Sequence, residues 1–430
     1  MKTNRFLPFM LVIIVMSLLL VAAPPATAQD EVVITYLSIL QDDVGFNRVI
    51  GELSAQCLTD MPNVRYEREG INLDALGQRI DQLALNNNLP TLFSADSGPQ
   101  LIELIDNGYV LNVEELFTEL GIYDSLNPAA AAIAAAGVQG RGLYALPLEL
   151  NIEGFWYNKQ MFADHDLDVP TTWDEMLAAA AVFHENGIQA FALAGREKWP
   201  ITRYLAAYAN RVYGADAMVR VRDGELMLTD PGFIEAAQEL KDMAESGYFG
   251  VSPTTLDYGT ALDLFNQGRA AMYYMGSWEL RSFNDPAQAL IGTENIGYFN
   301  VPLVEGGEGT LEDFSINVGT TTIISSAGYN ETVGEWIRCV FSQYGDHAMN
   351  TLGMITGFNV NNPSDDLPQL TQIVLENLDT ANNAFLWWEA YFNPRASVVA
   401  GDNAQLLISD PGYTAEQYMT DLQAALDEGV

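Results

Sequence analysis

Apolar and polar positions change period several times along this chain, and each change marks an element. From Val32 to Leu40 the residues are mostly Val, Ile, Leu, Thr and Tyr, which predicts a strand. Asp42-Asp43-Val44-Gly45-Phe46-Asn47 then reads as a turn leading into a helix that ends near Asp60. Asn63 to Glu67 predicts a second strand. Between Leu73 and Leu85 the apolar residues include Leu73, Leu76, Ile80 and Leu83, a spacing of three and four that lines one helix face. Thr91 to Ala95 is a short strand, followed by the loop Asp96-Ser97-Gly98-Pro99 and another helix. Strands alternating with helices in this way predict an α/β lobe built on a mainly parallel sheet.

Helix starts are punctuated further along. In Thr172-Trp173-Asp174-Glu175 the Thr172 hydroxyl and the Glu175 carboxylate can satisfy free amides reciprocally, the capping-box pattern. Asp230-Pro231 and Asp410-Pro411 place a turn or cap residue before a proline, at or just before a helix start. Thr414 to Gln417 offers one more box before a final helix to about Asp427. Ala129 to Ala136 predicts helix, and Glu305 to Gly309 predicts an exposed loop.

The first residues carry a different pattern. Lys2 and Arg5 precede the apolar run Phe6 to Val21, and Pro24-Pro25 breaks any helix before Ala26-Thr27-Ala28. That order predicts a secretory signal, residues 1–28, cleaved after Ala28. The run is short for a bilayer crossing, which needs about 20 residues. No cysteine follows it, which argues against a lipid-modified N-terminus.

About 400 residues would remain after cleavage, too many for one ordinary core and suited to two lobes. Charge narrows the partners. The chain has 57 Asp and Glu against 19 Lys and Arg, net −38, and cleavage would remove two of the basic residues. Such a surface repels phosphate rather than releasing counterions to it, which excludes nucleic acid and anionic lipid as expected partners. The two cysteines, Cys57 and Cys339, lie far apart in sequence but could pair in an oxidising compartment. His165, His184 and His347 are scattered, so no metal or cofactor is expected.

Several segments share an order. Tyr144-Ala145-Leu146-Pro147 is followed by Phe155-Trp156-Tyr157-Asn158-Lys159 and by Pro170-Thr171-Thr172-Trp173-Asp174-Glu175. Leu264 to Met272 leads to Gly276-Ser277-Trp278-Glu279, and Asn300-Val301-Pro302-Leu303 and Glu335 to Phe341 come after. This series resembles the family 1 extracellular solute-binding proteins, the maltose-binding-protein-like group that serves ABC sugar importers. The likeness covers essentially the whole chain beyond the signal. Two positions depart: Leu89-Pro90-Thr91 replaces a Pro-Asp pair before the third strand, and Thr356-Gly357-Phe358-Asn359 lacks a proline in the third crossover. The resemblance implies a two-lobed periplasmic-binding-protein fold with three interlobe crossovers. By position, lobe one would be 29–148 plus 302–355, and lobe two 149–301 plus 356–430. Ligand sites in such sheets form at the C-terminal ends of strands, so the ligand would sit in the cleft between two sets of loops.

A pyranose offers an apolar CH face and a rim of hydroxyls, which call for an aromatic plate and for carboxylates or amides. Trp278, in a Gly-x-Trp turn after a strand, is the first candidate plate. Trp199 and the pair Trp387-Trp388 stand where the resemblance implies ligand contacts, and only one of the pair should face the ligand because helical neighbours diverge by about 100°. Trp156, Trp173 and Trp336 read as structural. Candidate polar partners are Asp96, Asp42 and Asp43 after strands, Glu149 and Asn151 at the first crossover, and Arg395 in Asn393-Pro394-Arg395.

The expectation is a monomeric, exported binding protein that delivers a mono- or oligosaccharide to the membrane subunits of an ABC importer. Three rivals remain at this point, one of them a surface adhesin or sensor-linked binding protein that serves no importer. A secreted glycosidase would need two carboxylates at fixed separation, which abundant Asp and Glu neither support nor exclude. The same fold could instead take a polyamine, using tryptophans and carboxylates.

Overall fold

The computed structural model of the protein describes Met1 and residues 31–95 and 97–428. The expected signal segment and the candidate Asp96 lie outside the described residues. Among those described, the strands are β1 (Val32–Ser38), β2 (Val64–Gly70), β3 (Leu92–Ala95), β4 (Ala145–Leu146), β5 (Asn151–Asn158), β6 (Gln189–Ala192), β7 (Ala270–Gly276), β8 (Ile296–Phe299), β9 (Asp313–Asn317), β10 (Thr321–Ile324) and β11 (Asn383–Phe385). They form two sheets. The first runs β2-β1-β3-β10-β4 and the second β11-β9-β5-β7-β6, with β8 also on β5.

The parallel expectation holds for the start of the first sheet, where β1 pairs in parallel with β2 and β3. It does not hold for β10, which is antiparallel to β3 and β4, or around β5, which is antiparallel to β7, β8 and β9. The cause is topological. β5 and β10 each begin directly after the chain has crossed from the other sheet, so neither is entered through the returning helix that a parallel neighbour requires.

β5 is the spine of the second sheet because both its faces are buried. Phe155 packs against Trp173, Phe191, Tyr204, Tyr274 and Phe299 on one face. Ile152 and Trp156 fill the other, with Phe265 and Phe283. A strand covered on both sides reads as a nearly continuous apolar run. The first sheet has its own core, including Tyr36, Val49, Phe93, Trp336 and Phe341. Trp156, Trp173 and Trp336 are all core residues.

Among the described residues the chain passes between the sheets three times: at 147–150, between β4 and β5; at 318–320, between β9 and β10; and at about 364–368. The second and third passages correct the expected boundaries. Residues 302–317 lie with the second sheet, because Leu303 exchanges backbone bonds with Thr171 and Trp173 and β9 pairs with β5 and β11. Residues 356–363 stay with the first, where Phe358 bridges to Leu126 and the Asp346 carboxylate accepts from the amides of Asn361 and Asn362.

The capping box at Thr172 is complete. At Asp410-Pro411 no helix begins, since Asp410 ends the helix Pro394–Ser409 and the next starts at Ala415 behind the Thr414 cap. Cys57 and Cys339 form a disulfide, joining the helices Gly45–Cys57 and Glu331–Phe341 of the first lobe. No helix among the described residues is long and apolar enough to cross a membrane.

Candidate ligand-binding site

Trp278 follows β7 directly, in a single turn of 3-10 helix, Ser277–Glu279. Its indole folds back over the strand end because residue 276 has no side chain: a Cβ there would lie 2.0 Å from the ring. The indole Nε1 donates to the Tyr258 hydroxyl at 2.8 Å, and Tyr258 in turn donates to the buried Glu279 carboxylate. Trp278 is thereby held with its ring only partly buried. Gly276→Ala should displace the plate and weaken ligand binding about as much as deleting the indole, while the backbone there (φ −86) tolerates alanine. Equal affinities for Gly276→Ala and the wild-type protein would contradict this.

Trp199 opens the helix Trp199–Tyr213 and meets Trp278 edge to face, ring centroids 6.0 Å apart. One turn along the same helix, the Arg203 guanidinium lies 5.2 Å from the Trp199 ring centroid and 5.0 Å from that of Trp387. Arg203 Nε donates to Glu153 at 3.0 Å and Nη1 to Glu389 at 2.7 Å. Glu153, wholly buried on β5, also accepts from the Asn317 amide at 2.7 Å. Burial pushes the Glu153 carboxyl above its usual range, and Arg203 offsets only part of this. Burial works against the charge on Arg203 too, but Glu389 and Glu153 outweigh it and hold the guanidinium above its ordinary value.

On the other side of Trp278 a groove of about 510 Å³ runs between the lobes. The first lobe contributes Asp43, Gly45 and Arg48, the second Trp278 and Arg281. Glu149 of the first crossing and Asn151, the first residue of β5, line it as well. Asn151 accepts from the Ser277 hydroxyl at 3.1 Å, tying the start of β5, just after the crossing, to the Trp278 turn. Glu149 sits against the second crossing, where Gly319 has φ +66 and a Cβ would come within 2.4 Å of the carboxylate.

Burial raises the Glu149 pKa, with Arg281 opposing. A carboxyl whose folded pKa is raised contributes stability that is present below its unfolded value and lost as pH climbs through the folded one. Glu149→Gln keeps the neutral shape, so its melting temperature should gain on the wild type as pH rises above the ordinary carboxylate range. Parallel melting curves for the two proteins across that range would contradict it.

A model of the bacterial extracellular solute-binding proteins matches residues 66–343, well over half of the 430-residue chain. The chain belongs to this family. An ABC transporter extracellular-binding protein of Pyrococcus horikoshii is 24% identical to it over 291 residues, 67% of this chain and 61% of the relative. The multiple sugar-binding protein of Streptococcus mutans is 28% identical over 172 residues, 39% of this chain and 40% of its own. The matches thus span about three-fifths or less of these relatives. A solved chitin oligosaccharide binding protein shares the fold, with a TM-score of 0.82 over 93% of this chain and 99% of the other at 22% identity.

In this solute-binding protein the sequence-selected residues separate into groups. Trp278, Asp43, Glu149 and Asn151 line the groove, and Trp199 and Trp387 join Trp278 through ring contacts and Arg203. Trp388 does not belong with them. It is wholly buried against Phe392 and has no face to offer a ligand. Arg395 is also misplaced: Asn393 caps the helix Pro394–Ser409, which sends Arg395 outward to Glu428 in a separate depression between the two C-terminal helices. Asp42 is exposed and is not among the groove-lining residues described; its backbone carbonyl accepts from Asn47.

Sequence reasoning missed Glu153, Arg203, Glu389, Tyr258 and Arg281. One signal was present. Trp199 and Arg203 stand four apart on a helix, the spacing that stacks one over the other. Among the described residues, no group of three His, Cys, Asp or Glu is placed to hold a metal.

Proposed function

We propose that the protein captures a neutral carbohydrate in the groove between its lobes and presents it, as an exported monomer, to the membrane subunits of an ABC importer. The observation that carries this reading is Trp278, a partly exposed indole at the wall of a groove that Asp43 of the first lobe, Glu149 and Asn151 also line. An indole covers the CH face of a sugar, and Asp43, Glu149 and Asn151 supply partners for its hydroxyls. Three crossings between two lobes, each built on its own sheet, allow the hinge closure that would bring both walls onto a ligand.

The geometry favours gripping over transforming. Three carboxylates around the tryptophans are held in place: Glu153 and Glu389 by Arg203, and one oxygen of Glu279 by Tyr258 and Arg281, which leaves Asp43 and Glu149 among the groove carboxylates open to a ligand. A glycosidase would have to use groove carboxylates such as Asp43 and Glu149 as its pair across a scissile bond, so absence of turnover with the oligosaccharide panel is part of the expected result. Arg203 already stacks against the Trp199 and Trp387 indoles and Arg281 lines the groove, which disfavours a cationic ligand at these places.

A thermal-shift panel of maltotriose, raffinose and chitotriose against putrescine and spermidine tests the reading. A ligand at 100 times its Kd should stabilise the fold by about 2.7 kcal/mol. Carbohydrate should raise the melting temperature and the amines should not; the reverse result would contradict the proposal. Trp278→Ala should cost about 1–3 kcal/mol of carbohydrate affinity, measured by calorimetry, with the fold retained.

A further inference from the structure

We infer that Arg203 is a positioning residue, which sets the orientation of the Trp199 and Trp387 indoles beside the ligand groove; its effect on affinity rests on the carbohydrate reading above. Both indoles are partly exposed, whereas Arg203 is only 8% exposed. The guanidinium is a post behind the rings, not a surface charge. Its Cζ lies 5.2 Å from one ring centroid and 5.0 Å from the other, so it sits over two indoles that come from distant parts of the chain.

The post is itself fixed at two points. Nε is held by Glu153 on the central strand β5, and Nη1 by Glu389, two residues beyond Trp387. Glu153 is in turn held by Asn317, whose side-chain oxygen accepts from the amide of Gly319 in the second crossing. A continuous set of hydrogen bonds therefore runs from a crossing segment, through the buried carboxylate, to the cation beside the two rings. Only a guanidinium meets these demands together, because it is planar for stacking and carries divergent N–H groups for two carboxylates. A lysine keeps the charge but offers a point ammonium without a stacking face.

The test compares Arg203→Lys with the wild-type protein in two readouts. In the ligand-free protein, near-ultraviolet circular dichroism of the indole band should change with Arg203→Lys. That change should vanish when Trp199 and Trp387 are both phenylalanine. With maltotriose, raffinose and chitotriose as probes, whichever the wild type binds should be bound about tenfold more weakly, in the range of a desolvated cation–aromatic contact. Because one buried charge change can unfold a protein, the double variant Arg203→Met with Glu153→Gln replaces the pair by neutral groups of similar size. It should fold and still show the altered band and the weaker binding. An unchanged indole band in Arg203→Lys, or a changed band with unchanged affinity, overturns the inference. If the wild type binds none of the three probes, the carbohydrate reading falls and the indole band alone decides the role of Arg203.

Discussion

Glu153→Ala should lower the stability of the protein by about 3 kcal/mol, the low end of the range for removing one partner of a buried ion pair. Glu153 is wholly buried, and its two oxygens serve Arg203 and Asn317. Alanine would leave the Asn317 amide without its acceptor and Arg203 with Glu389 alone, which is why the loss should not reach the top of the range. Glu153→Gln separates the contributions. It keeps an acceptor for Asn317, and burial already pushes the carboxyl toward its neutral form, so glutamine should cost less than half as much as alanine. Chemical denaturation of both variants measures the difference. Equal losses for the two would contradict the hydrogen-bonding role.

Removing the disulfide by Cys57→Ser with Cys339→Ser should cost about 2–5 kcal/mol, felt by the first lobe. The cross-link spans 282 residues of chain, so it removes many conformations from the unfolded ensemble. It also joins the helix Gly45–Cys57, whose first residues border the groove, to the helix carrying the core residue Trp336. Unfolding followed through the first lobe should shift in the variant and under reductant. Indole signals from Trp199 and Trp387 in the second lobe should shift less. A variant as stable as the wild type would contradict this account.

Much of the fold was legible because its residues obey local rules. Leu73–Leu85 forms the predicted helix and Thr172 carries its capping box, since spacing and cap chemistry are set within a few residues. What was not legible depends on partners distant in sequence. β9 and β10 are separated by only 318–320 yet belong to different sheets, and no local pattern says that the chain changes lobe at Gly319. Trp387 and Trp388 are adjacent, and it is packing into the second lobe's core, Phe392 included, that buries Trp388 and leaves Trp387 partly exposed. Arg203 reads as a solvated helix charge until Glu153 and Glu389, 50 residues before it and 186 after it, are brought to it. Arg395 erred the other way. A cation near tryptophans in sequence was sent outward by the helix that Asn393 caps.

The central claim is that a carbohydrate is gripped between two lobes that close on it. Small-angle X-ray scattering of the protein alone, and with a saturating carbohydrate from the panel, measures this most directly. A smaller radius of gyration is expected for the wild-type protein at saturation, and in a second measurement at a carbohydrate concentration near the wild-type Kd the decrease should be smaller for Trp278→Ala than for the wild type. Saturating carbohydrate binding that leaves the scattering curve of the wild-type protein unchanged would contradict it.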